Sequence, residues 1–355
     1  MESSPGWGGQ EIRILQEALD LRRRGHQTFF VVQKKSGLAT RAKKEEFLVY
    51  EVDFQKRKVV SLFFFLNRLL KKHSIDVINT HSSLDSWVGG FVGKWRKIKV
   101  VRTRHLSTPI RKGLNSRWLY HKLTDFVVTT CQEIVPIIVE QSRKPSAKVL
   151  SIPTGINTDK IKPTLKEAEA FRKSLSLGKG SFLVGMVCFM RSWKGVEDFL
   201  QAAKLLEREE NIHFVIIGGG HAKTYQDKAK GLQLKNLHFT GHLSSPYAAI
   251  QALDAFCLLS TAHEGVSQAS LQAAFLKKPL ITTETGGLKE VCLDQITGIR
   301  VPCFSPQKVA EAILQLRNNK DLCQKFGEEA HKLVVQKFTW AKTLKDMEEI
   351  YVKKM

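Results

Sequence analysis

Residues Ser260–Val291 read STAHEGVSQASLQAAFLKKPLITTETGGLKEV. A carboxylate in a glycine-containing loop, Glu264-Gly265, opens a helical run from Gln268 to Phe275. An apolar strand from Pro279 to Thr282 follows, and then a second glycine turn, Gly286-Gly287, with Glu290 just beyond. Loop, helix start, strand and glycine turn in one unit predict a polar pocket at helix N-termini, where backbone N–H groups and the helix dipole favour anions.

Outward from this unit, short β-branched runs alternate with helical ones, the pattern of a parallel α/β architecture. In the first half, strands are expected at Thr28–Gln33, Val77–Thr80, Val100–Thr103 and Asp125–Thr129, with helices at Glu11–Arg24, Val59–Lys72 and Leu84–Trp95. The second half repeats the alternation. Its expected strands are Phe182–Cys188, His213–Ile217, Leu237–Phe239, Ala255–Leu259 and Leu280–Thr283, with helices at Val196–Glu207 and Lys308–Asn318. A joint near Ser151–Asn157 separates two Rossmann-like domains, residues 1–150 and 151–337, facing across a cleft. The segment from 338 to the C-terminus reads as an amphipathic helix, with Trp340, Leu344 and Tyr351 to pack. One element is missing from the pattern. The first domain opens on the turn Gly6–Gly9 and its following helix, with no buried strand ahead of them, which leaves the neighbouring strands' backbone groups to be satisfied some other way.

The motif around Glu264 resembles the retaining glycosyltransferases of the GT-B fold, family 4, which carry E-x7-E, a small-residue helix, a strand and a GG turn. This chain departs at one place: eight residues after Glu264 stands Gln272, where the family has a second Glu. The resemblance extends over nearly the whole chain and is densest at 185–195 and 260–291. It implies that the terminal helix crosses back to the first domain. It also implies transfer of a sugar from a nucleotide-activated donor, with retention, to a glycan or lipid-linked glycan of the cell-envelope polysaccharide or lipopolysaccharide type.

Several residues take roles under that resemblance. Arg191 and Lys194, in RSWKG after the first strand of the second domain, would hold the donor diphosphate, Arg as a bidentate donor and Lys as a point charge. Glu264 would accept hydrogen bonds from donor-sugar hydroxyls, and the backbone of Gly265, Val266, Ser267 and Gln268 would hold sugar or phosphate. Gln272 would meet the nucleotide ribose as an amide, able both to donate and to accept. Gly8 and Gly9, with Glu11, match a first-domain GGxE turn that closes on the donor phosphates. Gly218 and Gly219, after HFVII, and Thr240 would line the nucleotide and base pocket. His105 follows a strand end, where ligands gather in open α/β sheets, and would lie beside the transferred sugar. His81 occupies another strand end; Arg102 and Arg104 flank the site and face an anionic acceptor, or are solvated surface arginines. Asp254 and Ser260 read as structural.

Charge sets the partners. The chain carries a net +22, and residues 1–150 hold 28 Lys/Arg against 13 Asp/Glu. Such an excess calls for an anionic partner surface. Lys56–His73 (KRKVVSLFFFLNRLLKKH) has six basic residues, no acid and a central apolar run, the composition of a helix lying on an anionic bilayer. Its bland alternative is an amphipathic helix with Phe63, Leu66 and Leu70 packed inward. No zinc-finger spacing or RNA-binding aromatic motif is present, so nucleic acid is not an expected partner. The six cysteines are scattered, as in a cytosolic protein, and no metal-ligand spacing occurs. No span or signal segment is expected. The expected location is therefore the cytoplasm, peripheral on the inner face of the plasma membrane. No cofactor or metal is expected beyond the nucleotide-sugar co-substrate. Other readings are a nucleotide-sugar 2-epimerase of the same fold and an inactive relative.

Overall fold

The computed structural model describes residues 1–353; the end of the expected terminal helix, Lys354 and Met355, lies outside the described residues. The chain forms two compact units, Met1–Pro153 with Lys342–Met355, and Thr154–Ala341.

The strands of unit 1 are β1 (Phe29–Gln33), β2 (Leu48–Val52), β3 (Val77–Thr80), β4 (Lys99–Arg104), β5 (Phe126–Thr129) and β6 (Val149–Ser151). They make two parallel sheets, β1-β2 and β3-β4-β5-β6. Each β-branched run is buried where it should be: β4 is covered along its whole length, and Val31 and Val32 of β1 are core residues. Helices α1 (Gly9–Arg23), α2 (Gly37–Lys44), α3 (Val59–Lys72) and α4 (Leu84–Arg96) pack around the strands. α1 starts where Gly8 N–H donates to the Glu11 carboxylate at 2.8 Å, a capping contact that satisfies one otherwise orphaned donor. In α3, Leu62, Leu66, Leu69 and Leu70 are buried, Phe63 is half-buried, and Val60 and Phe64 stay 70% and 65% exposed.

The C-terminal helix Trp340–Val352 completes this unit. Met347 and Ile350 join Val101, Phe126, Val128 and Ile152 in one cluster. Lys99 Nζ donates to the Ile350 and Tyr351 carbonyls at 3.1 and 2.6 Å, neutralising the helix end with a cation. Asn79 Nδ2 donates to the Tyr351 hydroxyl at 2.6 Å, and that hydroxyl donates to Glu17.

Unit 2 holds β7 (Phe182–Val187), β8 (Ile212–Ile217), β9 (Leu237–Gly241), β10 (Ala255–Leu258), β11 (Leu280–Thr283) and β12 (Gly298–Val301), all parallel, in the order β12-β11-β10-β7-β8-β9. Chain order reverses between β10 and β7, so the carboxyl ends of those two strands flank the crevice where open α/β sheets bind ligands. Phe199 and Phe214 meet edge to face at 5.2 Å in the core beneath. Asp254 holds the foot of the sheet by accepting from Leu183 N–H at 2.6 Å and pairing with Arg172 at 3.0 Å.

The expected strands of both halves form within one or two residues of their predicted ends. Elements the pattern did not show are β2, β6, β12, α2 and the helices Ile134–Ser142, Leu165–Ser174, Ala222–Gly231 and Lys320–Lys337. β2 and β12 are short sheet edges carrying Glu51 and Arg300, so their hydrophobic alternation is broken.

Candidate functional site

Three loops at the carboxyl ends of β7, β10 and β11 are locked together by backbone contact. Gly195 follows the β7 loop at φ +68°, and a Cβ there would lie 2.0 Å from the Leu259 carbonyl oxygen. Gly286, after β11, has φ +55°, and its Cβ would lie 1.8 Å from the Glu264 carbonyl oxygen. Only glycine fits such approaches. Hydrogen bonds close the same contacts: Thr261 N–H donates to Trp193 O at 2.8 Å, and Gly287 N–H to Glu264 O at 3.0 Å. Thr283 Oγ1 donates to Ser260 O at 2.5 Å.

These loops bring Lys194 and Glu264 together. The Lys194 ammonium donates to Glu264 Oε2 at 2.6 Å, and Ser260 Oγ donates to the same oxygen at 2.6 Å. Glu264 is buried and Lys194 half-buried, so the carboxylate is fixed by two donors while the ammonium keeps an open side. Ser260, expected to be structural, is thus part of the cluster. Arg191 is exposed and lies over the rings of Phe189 and Trp193, at 5.0 and 5.2 Å from their centroids. Trp193 also meets His263 edge to face at 5.5 Å. The motif reading passed over Phe189, Trp193 and His263, although an aromatic on each side of Arg191 is visible in the sequence. Burial pushes the Cys188 thiol up to about 12, which keeps it protonated and removes it as a nucleophile.

Gly265 and Val266 lead into the helix Gln268–Phe275, whose N-cap is Ser267. Gln268 is exposed, with its amide donating to Thr154 O at 2.5 Å, and Gln272 is half-buried one turn further on. Gly218 and Gly219 follow β8; Gly218 N–H donates to Gly241 O at 2.9 Å and Met190 N–H to Gly219 O at 2.8 Å. Thr240 lies on β9 with its hydroxyl turned to its own strand end, 3.0 Å from Gly241 O. All of these expected donor-side residues, except Gly8 and Gly9, therefore stand on the carboxyl side of one sheet.

In unit 1, Gly8 caps α1 and Gly9 is its first residue. His81 and His105 follow β3 and β4, and His81 Nδ1 lies 3.0 Å from His105 Nε2, so one ring donates to the other. Burial holds both imidazoles well below their usual value, with help from the Met1 amine at His81 and the Arg13 guanidinium at His105. Both are neutral at pH 7. Asp85 accepts from the His81 and Ser82 N–H groups at 2.8 and 3.1 Å and shapes the turn. Arg102 and Arg104 are not surface arginines: they are buried on the central strand β4, Arg102 lying 4.6 Å over the Tyr120 ring and Arg104 donating to the Tyr120 hydroxyl at 3.1 Å. Buried neighbours on a fully covered strand explain the difference. Arg102 nevertheless leaves Nε and Nη1 without a hydrogen-bond partner.

Comparison with known proteins places this arrangement. The family model for glycosyl transferases group 1 matches residues 167–333, and that for glycosyltransferase family 4 matches residues 7–160. An uncharacterised glycosyltransferase of Methanocaldococcus jannaschii, MJ1069, is 27% identical over 244 residues, 66% of this chain and 59% of that protein. The capsular polysaccharide biosynthesis glycosyltransferase CapM of Staphylococcus aureus is 24% identical, covering 83% of each chain. Among solved structures, Anabaena Alr3699/HepE in complex with UDP superposes with a TM-score of 0.86 at 17% identity, over 98% of this chain and 97% of that one. The two glycosyltransferase models together account for residues 7–160 and 167–333, and they make the chain a glycosyltransferase; its fold is GT-B.

Proposed function

We propose that the protein transfers a glycosyl group from a nucleoside-diphosphate sugar to a glycan or lipid-linked glycan in cell-envelope polysaccharide synthesis, with retention of configuration. The observation that carries the reading is the Lys194–Glu264–Ser260 cluster at the crevice between β7 and β10, with Arg191 on the same loop and the first turn of Gln268–Phe275 beside it. CapM, a polysaccharide biosynthesis enzyme by name, and HepE, solved with UDP, support the acceptor and donor classes.

In this reading Lys194 and Arg191 receive the donor diphosphate and stabilise the charge that builds on it as the C1–O bond breaks. Two fixed cations and the N–H groups of a helix start supply that stabilisation without a metal. Glu264, already held by Lys194 and Ser260, presents its remaining oxygen to the sugar hydroxyls, and Gln272 meets the ribose. The acceptor oxygen bonds C1 on the face the phosphate leaves, and its proton passes to the departing phosphate oxygen. In unit 1 the neutral pair His81 and His105, hydrogen-bonded to each other, offers a donor and an acceptor to a sugar hydroxyl.

Unit 1 binds the acceptor and contacts the membrane. A largely apolar cavity of about 450 Å³ is lined by Val59, Phe63, Phe91, Trp95, Trp118 and Leu123, with Lys94 also in its wall. Trp95, at 74% exposure, and Phe64 stand beside it, next to the basic segment Lys56–Lys58. Apolar side chains among lysines suit the interface of an anionic bilayer. No helix among the described residues is long and apolar enough to cross a membrane. In this reading the exposed apolar and basic side chains of that surface make the protein a peripheral enzyme on the cytoplasmic face.

The test is turnover with UDP-, GDP- and ADP-sugars in the presence of polyprenyl-diphosphate glycans in vesicles. The expected result is release of nucleoside diphosphate with a new glycosidic bond whose anomeric coupling matches the donor. An isomerised nucleotide sugar with no new bond, or no reaction with any donor, overturns the proposal.

A further inference from the structure

The Arg191 guanidinium is held by rings rather than by oxygens. It lies over Phe189 and Trp193, and among the described residues it donates to no carboxylate, carbonyl or hydroxyl. The backbone beside it is fixed. Met190 is bridged in parallel to Gly220, its N–H donating to Gly219 O at 2.8 Å and its carbonyl accepting from His221 N–H at 3.1 Å. The chain after β7 therefore runs extended along the loop after β8, and Arg191 continues it at φ −143° and ψ 162°. Side chains two residues apart in an extended chain share a face, which sets Phe189 beside Arg191. The Phe189 ring is backed by Gly220, where a Cβ would lie 2.9 Å from it. The turn Ser192–Lys194 then brings Trp193 to the same guanidinium. Trp193 is anchored in turn by the loop after β10: its carbonyl accepts from Thr261 N–H, and its ring meets His263 edge to face.

Two consequences follow from this mode of support. A cation over a ring face is attracted by the ring's quadrupole, and that attraction takes up none of its N–H donors. The guanidinium fork thus keeps its edge free for two parallel bonds to phosphate oxygens. An exposed arginine also loses rotamer freedom when it binds, and rings that already confine it remove part of that cost before the ligand arrives. Lys194 is prepared differently, since its ammonium already donates to Glu264.

We propose that Trp193 and Phe189 are positioning residues for the donor diphosphate, acting through Arg191 by confining its guanidinium with its donors free. The proposal rests on the diphosphate role of Arg191 given above. Trp193 carries the larger share: an indole face attracts a cation more strongly than a phenyl face, and Trp193 is tied to the loop that bears Glu264.

The test is isothermal titration of inorganic pyrophosphate and of UDP into the full chain and its variants. Trp193→Leu keeps apolar bulk and the backbone carbonyl that holds Thr261, and removes only the ring. It should raise Kd for both probes by roughly threefold to tenfold. Trp193→Phe, which restores a ring, should return Kd to within about twofold of the wild-type value. In an Arg191→Gln background, Trp193→Leu should add less than about twofold, because residues acting through one contact are not additive. An equal loss in both backgrounds would make Trp193 a purely structural residue and overturn the proposal, as would an unchanged Kd in Trp193→Leu. Phe189→Leu provides a second arm at an exposed position, with a smaller loss that should likewise vanish in Arg191→Gln. Pyrophosphate binding requires neither sugar nor acceptor, so the expected pattern without turnover would sink the transferase reading alone. Turnover with additive losses would sink this proposal alone, and a wild-type chain that binds neither probe would overturn both.

Discussion

Lys194 and Glu264 lie 70 residues apart in the chain and 2.6 Å apart in space. The contact joins the loop after β7 to the loop after β10, so the cation and the carboxylate arrive at the crevice already paired. Removal of either partner therefore has two effects, one on chemistry and one on the partner left behind.

Lys194→Ala should lower kcat by roughly 10²- to 10³-fold, the loss of about 3–4 kcal/mol expected of an anion-stabilising donor. Arg191→Ala should cost less because its guanidinium is exposed. Steady-state release of nucleoside diphosphate measures both, and wild-type turnover in the double variant would remove these residues from the mechanism.

Gly286→Ala drives a methyl group against the Glu264 carbonyl from a left-handed backbone conformation. The expected cost is about 2–4 kcal/mol of stability by chemical denaturation, with donor affinity falling in parallel as Glu264 is displaced. Gly231→Ala, where a Cβ would meet nothing within 4 Å, is the matched control and should be neutral or slightly stabilising.

Gln272→Glu supplies a charged acceptor at the position proposed to meet the ribose. A hydrogen bond to an ionised group is stronger than one to an amide by about 1 kcal/mol, so nucleotide affinity should rise roughly fivefold. Isothermal titration with UDP, GDP and ADP reads this directly. An unchanged affinity for every nucleotide would place Gln272 away from the ribose.

Stability should fall as pH drops below about 6.5. His81 and His105 resist protonation in the folded protein, being buried and faced by the Met1 amine, Arg13 and Arg102. In the unfolded chain both take up protons near the ordinary histidine value, so acid favours unfolding, while above that value their contribution is constant. Thermal midpoints between pH 8 and pH 5 test the sign, and His105→Asn should flatten part of the slope.

The proposed membrane contact should be separable from folding. Replacing Lys56, Arg57 and Lys58 with Gln should weaken sedimentation with anionic vesicles by about 1 kcal/mol per charge, and Trp95→Ser should weaken it further, with no change in thermal midpoint. Binding that survives all four substitutions would move the membrane face elsewhere.

The second sheet was readable because its strands are nearly pure apolar runs followed by glycine turns. Phe182–Val187 and Leu280–Thr283 needed no partner to be recognised. β2 and the polar helix Lys320–Lys337 carry weaker periodicity because much of each faces solvent, and β12, though mostly buried, is four residues long with Arg300 inside it. Site residues followed the same division. Arg191, Lys194 and Glu264 stood out by charge beside glycine, whereas Ser260 and Trp193 did not, because a serine or an aromatic beside a strand is ordinary until its partner is known. Arg102 and Arg104 misled for the converse reason: charge suggests surface, and only the stacking partner Tyr120 shows how a guanidinium is accommodated inside.

Trp193 has a further use. Its carbonyl is tied to Thr261 and its ring touches His263, three and one residues from Glu264, while Arg191 lies over its face. An indole in that position changes its surroundings whenever a ligand engages the arginine or shifts the carboxylate. Occupancy of the proposed donor site should thus give an intrinsic fluorescence signal, readable without labels, radioactivity or a known acceptor.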